Sequence, residues 1–163
     1  MSPETPASGY WVVLLTFLFA YVLAVLPLPH WLLWGRPEWL ALTLIYWAIA
    51  LPHRVGMLTG LLLGLGLDVL EGAVLGQNAL ALAVLGGLTL TLYQRLRVYS
   101  LWQQAAVVFV LIGINQLICQ WVQNLEGVGA PALFFLLPAF SSALLWPVVL
   151  HTLRGLRRYY RVY

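Results

Sequence analysis

The chain has 163 residues, of which 63% are hydrophobic and 8% are charged, and its formal net charge is +3. This number of charges is too small to cover a globular surface. The composition therefore excludes an ordinary soluble domain and favours an all-α membrane protein. The single cysteine excludes an internal disulfide.

Six apolar stretches predict six transmembrane helices in one integral membrane domain that occupies residues 1–163. The first stretch lacks the basic residues that precede a cleaved signal peptide, so we interpret it as a retained helix. The second begins with Pro37-Glu38, a typical helix start, but it is short for a hydrocarbon core of about 30 Å. Pro138 and Pro147 predict kinks in the last helix. The predicted spans are about 10–26, 37–51, 55–70, 78–93, 101–122 and 131–153.

The basic residues are strongly asymmetric along this predicted topology. All eight are arginines, and an even number of spans places seven of them on one side and only Arg36 on the other. The positive-inside rule therefore predicts that both termini are cytoplasmic. Glu38, Glu71 and Glu126 then lie on the outer side, with Asp68 close to it. The arginines lie on one membrane face because insertion requires it. The pattern therefore argues against nucleic-acid binding and for contact with lipid headgroups. The seven are Arg54, Arg95, Arg97, Arg154, Arg157, Arg158 and Arg161.

Glycine recurs at every fourth position through the third span. Gly56, Gly60 and Gly64 form a small-xxx-small surface, which predicts close packing against a neighbouring helix. Asp68 occupies the next position of this ridge. A carboxylate at the edge of a bilayer costs about 2 to 3 kcal/mol, so it is expected to have a partner or a function. The sequence leaves open whether Asp68 serves helix packing or the docking of a partner.

The ridge continues into a predicted turn that contains Asp68, Gly72, Gly76 and Asn78. Glycine supplies the unusual dihedral angles that a tight turn at membrane depth requires. Asn78 is predicted to be the N-cap of the fourth helix. Irregular backbone at this depth must be covered by protein or face a water-filled cavity. We therefore expect this signature turn to pack against another element or to dock a partner.

Amide side chains repeat along the outer half of the fifth span. Gln116, Gln120 and Gln123 or Asn124 share one helix face. Hydrogen bonds between helices are the usual reason for such a stripe. The alternative is a polar pocket or docking surface that opens to the outer side.

The sequence contains no motif for catalysis, phosphate binding or metal binding. His30, His53 and His151 have no evident catalytic or metal-binding partners. We therefore predict a protein that is not an enzyme and that carries no metal and no cofactor.

Several of these segments resemble the MreD family, the rod shape-determining integral membrane proteins of bacteria, and in particular its proteobacterial members. The resemblance covers nearly the full chain. Its most specific part is the Gly64-x-x-x-Asp68-x-x-x-Gly72-x-x-x-Gly76 block together with the Pro52-His53-Arg54 turn. Further matching segments are Arg36-Pro37-Glu38-Trp39, Ile45-Tyr46-Trp47, Ala50-Leu51 and Leu101-Trp102-Gln103-Gln104-Ala105.

The resemblance implies a multi-pass protein of the bacterial inner membrane that belongs to the cell-elongation machinery. It implies direct binding to the periplasmic scaffold MreC. It also implies links, direct or through MreC, to the actin homologue MreB and to peptidoglycan polymerase and transpeptidase. The oligomeric state and the MreC contact face stay open.

The resemblance further implies a fold similar to the substrate-binding subunits of energy-coupling-factor transporters. A vitamin-binding subunit of that kind is therefore the alternative function. In that case, Ala20-x-x-x-Ala24 would meet a coupling subunit and the outer polar groups would bind the vitamin. A channel or proton-coupled transporter is a third class, but it lacks a carboxylate at the membrane centre and a clear inverted repeat.

Overall fold

The computed structural model describes residues 10–26, 29, 37–52, 54–72, 76–125, 127 and 136–160. These residues form six α-helices and no β-strand. A helix satisfies its backbone hydrogen bonds within one segment, as an apolar surrounding demands. The helices are α1 (Tyr10–Val25), α2 (Trp39–Ala50), α3 (Met57–Glu71), α4 (Gln77–Val98), α5 (Leu101–Leu125) and α6 (Leu137–Tyr160).

The shortest helix, α2, lies at the centre of the bundle. It packs against α1, α4, α5 and α6, and all its residues from Leu40 to Ala48 are buried. Its 12 residues rise about 18 Å, less than the ~30 Å of a hydrocarbon core. Because protein rather than lipid surrounds α2, the bilayer thickness does not set its length. The Trp47 indole Nε1 donates to Thr16 Oγ1 over 2.9 Å and so joins α2 to α1.

The outer surface of the bundle is apolar. Large side chains such as Leu14, Leu58, Val69 and Trp102 are 68%, 68%, 71% and 86% exposed. Such a surface would cause aggregation in water, whereas in a bilayer it contacts lipid. By length and composition, α4 and α5 are each long and apolar enough to cross a membrane.

Three helices end more than two residues beyond their predicted spans: α4, α5, which ends at Leu125 rather than at 122, and α6, which ends at Tyr160 rather than at 153. α4 continues beyond residue 93 to Val98, because Leu96 is buried against the bundle. α6 begins at Leu137, and residues 131–135 of the predicted span lie outside the described residues. Pro138 lies in the first turn of α6, where proline fits without a kink. Pro147 lies inside the helix, at the position where the sequence predicts a kink.

Successive helices alternate in direction, which separates the charges into two ends. The carboxylate end contains Glu38, Asp68 and Glu71, together with the amide side chains at the start of α4 and in the second half of α5. The opposite, arginine end also contains the contact between the Trp11 and Tyr160 rings, whose centroids are 4.9 Å apart. The described arginines at that end are Arg54, Arg95, Arg97, Arg154, Arg157 and Arg158.

Candidate functional site at the carboxylate end

Asp68 is 1% exposed, and its carboxylate accepts three backbone hydrogen bonds. Oδ2 accepts from the N–H groups of Gly76 at 2.9 Å and Ala79 at 3.3 Å, and Oδ1 accepts from Asn78 at 2.8 Å. The first N–H groups of a helix have no acceptor within the helix. The Asp68 side chain, which belongs to α3, therefore caps α4. Its charge lies at the positive end of the α4 dipole. These bonds offset the cost of burying the carboxylate.

Two glycines with positive φ shape the turn between α3 and α4. Gly72 has φ +65° and follows the last residue of α3, and its N–H donates to the backbone oxygen of Asp68. Gly76 has φ +98° and is the N-cap residue of α4. Both positions favour glycine, because other L-residues rarely adopt these angles. Residues 73–75 lie outside the described residues.

The prediction that Asn78 is the N-cap of this helix is wrong. α4 begins at Gln77, and Gly76 occupies the N-cap position without a side-chain cap. The capping oxygens come instead from Asp68, which lies 8 residues before Gly76 in the chain. Local capping preferences could not reveal this arrangement, because the acceptor belongs to the preceding helix.

The backbones of α3 and α4 approach each other along the glycine ridge. A Cβ atom on Gly60 would overlap the carbonyl group of Leu82, and one on Gly64 would overlap the backbone of Ala79. These contacts are with main-chain atoms, which cannot move aside as a flexible side chain can. α3 and α4 also form the most extensive helix pair in the described part of the chain.

Gly86 of α4 belongs to the same contact and was not identified from the sequence. A Cβ atom there would lie 2.6 Å from the Gly56 oxygen. A Cβ on Gly56 would meet the Leu90 side chain at 2.5 Å. The available signal was the pair Gly86-Gly87, since glycine inside a helix costs about 1 kcal/mol relative to alanine and so indicates a packing reason.

Around Asp68, side-chain hydrogen bonds join α3, α4 and α5. The Asn78 amide donates to Glu71 Oε2 over 3.2 Å. The Cys119 thiol donates to Asn78 Oδ1 over 3.6 Å, and the Gln77 side chain lies beside the thiol. Asn78 therefore connects the end of α3 to the second half of α5.

A second connection joins α2, α5 and α6. Gln116 Nε2 donates to Glu38 Oε1 over 2.6 Å. The backbone N–H of Glu38 donates to Oγ of Ser142, which is fully buried. Sequence analysis did not identify Glu38 or Ser142 as site residues, because neither belongs to a local motif with its partner.

The structure divides the predicted polar stripe of α5 into two parts. Gln116 joins the bundle interior through Glu38. Gln120 Nε2 donates to Asn124 Oδ1 of the same helix over 3.5 Å, and Gln123 is half-buried. Gln116 thus makes a hydrogen bond between helices, as the sequence suggested.

The polar groups at this end are largely paired with one another. In the described residues, no group of three His, Cys, Asp or Glu side chains could hold a metal ion. These hydrogen bonds fix the relative positions of α2, α3, α4, α5 and α6. Glu71 and Asn124 are exposed at the rim of this end.

Comparison with known proteins identifies the family. The family model described as rod shape-determining protein MreD matches residues 6–156. The chain belongs to the MreD family. The rod shape-determining protein MreD of Haemophilus influenzae is 35% identical over 153 residues, which cover 91% of this chain and 92% of that protein. No solved structure matches the chain significantly.

Family membership confirms the resemblance drawn from the sequence. MreD proteins determine rod shape and are membrane proteins, which agrees with the apolar surface and with the two long apolar helices of this chain. The matched residues include the whole turn from Asp68 to Asn78.

Proposed function

We propose that the chain is a non-enzymatic subunit of the bacterial cell-elongation complex and a multi-pass protein of the inner membrane. The family match over residues 6–156 carries this proposal. In this role the protein binds MreC. Directly or through MreC, it also helps to couple MreB to peptidoglycan polymerase and transpeptidase.

The proposed topology has six spans and two cytoplasmic termini. It is supported by the separation of carboxylates and arginines to opposite ends of the bundle, together with the positive-inside rule. The carboxylate end then faces the periplasm. The proposed fold is similar to that of the substrate-binding subunits of energy-coupling-factor transporters.

In this proposal, MreC docks at the carboxylate end. Trp121 and Leu125 of α5 expose 60% and 69% of their surface there, next to the exposed Glu71 and Asn124. Aromatic and apolar anchors with a polar rim are typical of protein interfaces. Asp68 is too buried to touch a partner, so it acts by holding α3 and α4 in place beneath this surface.

The vitamin-transporter alternative gains little support from these positions. Ala20, which would meet a coupling subunit, is 2% exposed and packs into the hydrophobic core. Ala24 is partly buried against the same core. Gln116, one of the polar groups that would bind a vitamin, is instead paired with Glu38 at the start of α2.

Depletion in a rod-shaped host, combined with purification, tests the proposal. Depleted cells should become round, and the tagged protein should retain MreC in mild detergent. Normal rods with defective uptake of a vitamin would instead favour the transporter. A reporter fused after Asn124 should be periplasmic, and a cytoplasmic reporter would contradict the topology.

A pair of surface substitutions tests the docking surface. Leu125→Arg should lower MreC retention about tenfold, as expected for a contact near the centre of an interface. Val98→Arg is the matched control, because Val98 is 82% exposed at the arginine end of α4. Equal retention by the two variants would exclude the α5 surface as the MreC site.

A further inference from the structure

A lateral groove of about 460 Å³ opens between α1 and α3, in the half of the bundle nearer the arginine end. Leu14 of α1 and Leu62 of α3 lie on its two sides and are 68% and 61% exposed. The groove therefore faces the surroundings of the bundle rather than its interior. Its apolar lining includes Val13, Phe17, Leu18, Leu51, Val55 and Leu63.

The two ends of the groove differ in chemistry. Arg54 lines the end where α2 leads into α3, and the Thr59 hydroxyl donates to its carbonyl oxygen over 3.4 Å. At the other end, the Tyr21 hydroxyl donates to the carbonyl oxygen of Leu63 and bridges α1 to α3. Between Val13 and Tyr21, α1 rises about 12 Å at 1.5 Å per residue. The groove is thus a slot with a guanidinium at its membrane-surface end and a bridge at its inner end.

This length decides between two kinds of occupant. One leaflet is about half of a ~30 Å hydrocarbon core, so a slot of about 12 Å accommodates a chain within a single leaflet. A transmembrane helix of a partner protein would need a groove that continues across the bilayer. The bridge between Tyr21 and Leu63 interrupts such a path.

Charge complementarity identifies the headgroup. A guanidinium at the level of the membrane surface binds phosphate oxygens through directed N–H groups. We propose that the groove binds an anionic phospholipid, with one acyl chain between α1 and α3 and the phosphate at Arg54. The lipid would fill the groove between α1 and α3.

A second groove provides a control within the same molecule. It lies between α5 and α6 and has a similar volume of about 440 Å³. Only apolar residues line it, among them Trp102, Ala106 and Phe140. It can therefore accept lipid tails but has no group that selects an anionic headgroup.

Native mass spectrometry of the full chain tests the proposal. The purified protein is equilibrated with equal amounts of phosphatidylglycerol and phosphatidylcholine that carry the same acyl chains. We expect retained phosphatidylglycerol to exceed phosphatidylcholine about fivefold, and Arg54→Gln to lower this ratio to about one. Arg95→Gln, an exposed arginine of α4, should leave the ratio unchanged. An unchanged ratio in Arg54→Gln, or an equal loss in Arg95→Gln, would overturn the proposal.

A second pair of variants tests the position of the acyl chain. Leu62→Trp covers the opening of the groove and should lower phosphatidylglycerol retention about fivefold. Ala106→Trp fills the control groove and should not change it. Both residues are exposed, so the bundle core keeps its packing. If Leu62→Trp retains the lipid as the unmodified protein does, the acyl chain lies elsewhere and the proposal fails.

Discussion

At each end of the bundle, a charged side chain forms hydrogen bonds with the backbone at a helix terminus, but one of these side chains is buried and the other is exposed. At the carboxylate end, Asp68 accepts hydrogen bonds at the N-terminus of α4. At the arginine end, Arg97 donates to the Ile49 oxygen near the C-terminus of α2, over 3.1 Å from Nε and 2.7 Å from Nη2. Both arrangements match the helix dipole. Asp68 is buried, whereas Arg97 is exposed, so water can replace the partner only at the arginine end.

At the arginine end, the buried side chain that connects helices is an uncharged amide, that of Gln104, rather than a carboxylate. Gln104 Nε2 donates to the Leu96 oxygen over 2.7 Å, and Gln104 Oε1 accepts from Trp146 Nε1 over 3.3 Å. This side chain joins α4, α5 and α6. We therefore expect burial, more than charge, to decide how much a polar contact stabilises this bundle.

The largest expected effect comes from removing the buried carboxylate. Asp68→Leu leaves the N–H groups of Gly76, Asn78 and Ala79 without their acceptor and should cost about 3 to 5 kcal/mol of stability. The check is thermal unfolding in mild detergent, together with the alkylation rate of Cys119. That thiol is the only one in the chain and is 8% exposed, so its labelling reports opening of this end.

Two companion variants separate charge from hydrogen bonding at this site. Asp68→Asn keeps one acceptor oxygen and should lose about 1 to 2 kcal/mol. Glu71→Gln makes the same change of charge on an exposed side chain and should lose less than about 1 kcal/mol. Equal losses for Asp68→Leu and Glu71→Gln would show that burial is not decisive. If Asp68→Asn and Asp68→Leu both retain MreC, Asp68 does not support the docking surface.

The next effect concerns the glycine ridge that leads to Asp68. Gly64→Ala places a Cβ against the backbone of Ala79 and should cost about 1 to 3 kcal/mol. Gly113→Ala is the matched control, because nothing lies within 4 Å of a Cβ there. That change should stabilise the protein by up to about 1 kcal/mol through helix propensity. Similar melting temperatures for the two variants would contradict the close approach of α3 and α4.

An effect of similar size is expected for Gln104. Gln104→Leu leaves the Leu96 oxygen and the Trp146 Nε1 group without a partner and should cost about 1 to 3 kcal/mol. Gln94→Leu, on the exposed face of α4, should change the melting temperature little. If Gln104→Leu unfolded at the same temperature as Gln94→Leu, the hydrogen bonds of Gln104 would not stabilise the arginine end.

The smallest effect should follow Arg97→Gln. An exposed charged contact contributes about 0 to 1 kcal/mol and is screened by salt. Melting temperatures at low and high ionic strength should therefore differ slightly more for the unmodified protein than for the variant. A loss as large as that of Asp68→Leu would remove the contrast between the two ends.

Much of the helical architecture was predictable because it follows from local sequence. Apolar runs indicated helices at all six places where the structure has them. The four-residue spacing of Gly60, Gly64 and Asp68 also indicated which face of α3 meets a neighbour. Spacing could not identify α4 as that neighbour or reveal that Gly86 completes the contact, because helix periodicity carries no information about the partner's register.

The amino-acid sequence alone determined the membrane class, the helical content and the MreD family, since hydropathy and motif spacing are properties of the chain itself. Only the tertiary structure decided that Asp68 caps α4 and that Glu38 meets Gln116 and Ser142. The last two pairs are separated by 78 and 104 residues. A buried polar group must be hydrogen-bonded, but many side chains satisfy that need equally well. Which of them does so depends on the position of each helix end after the bundle has packed.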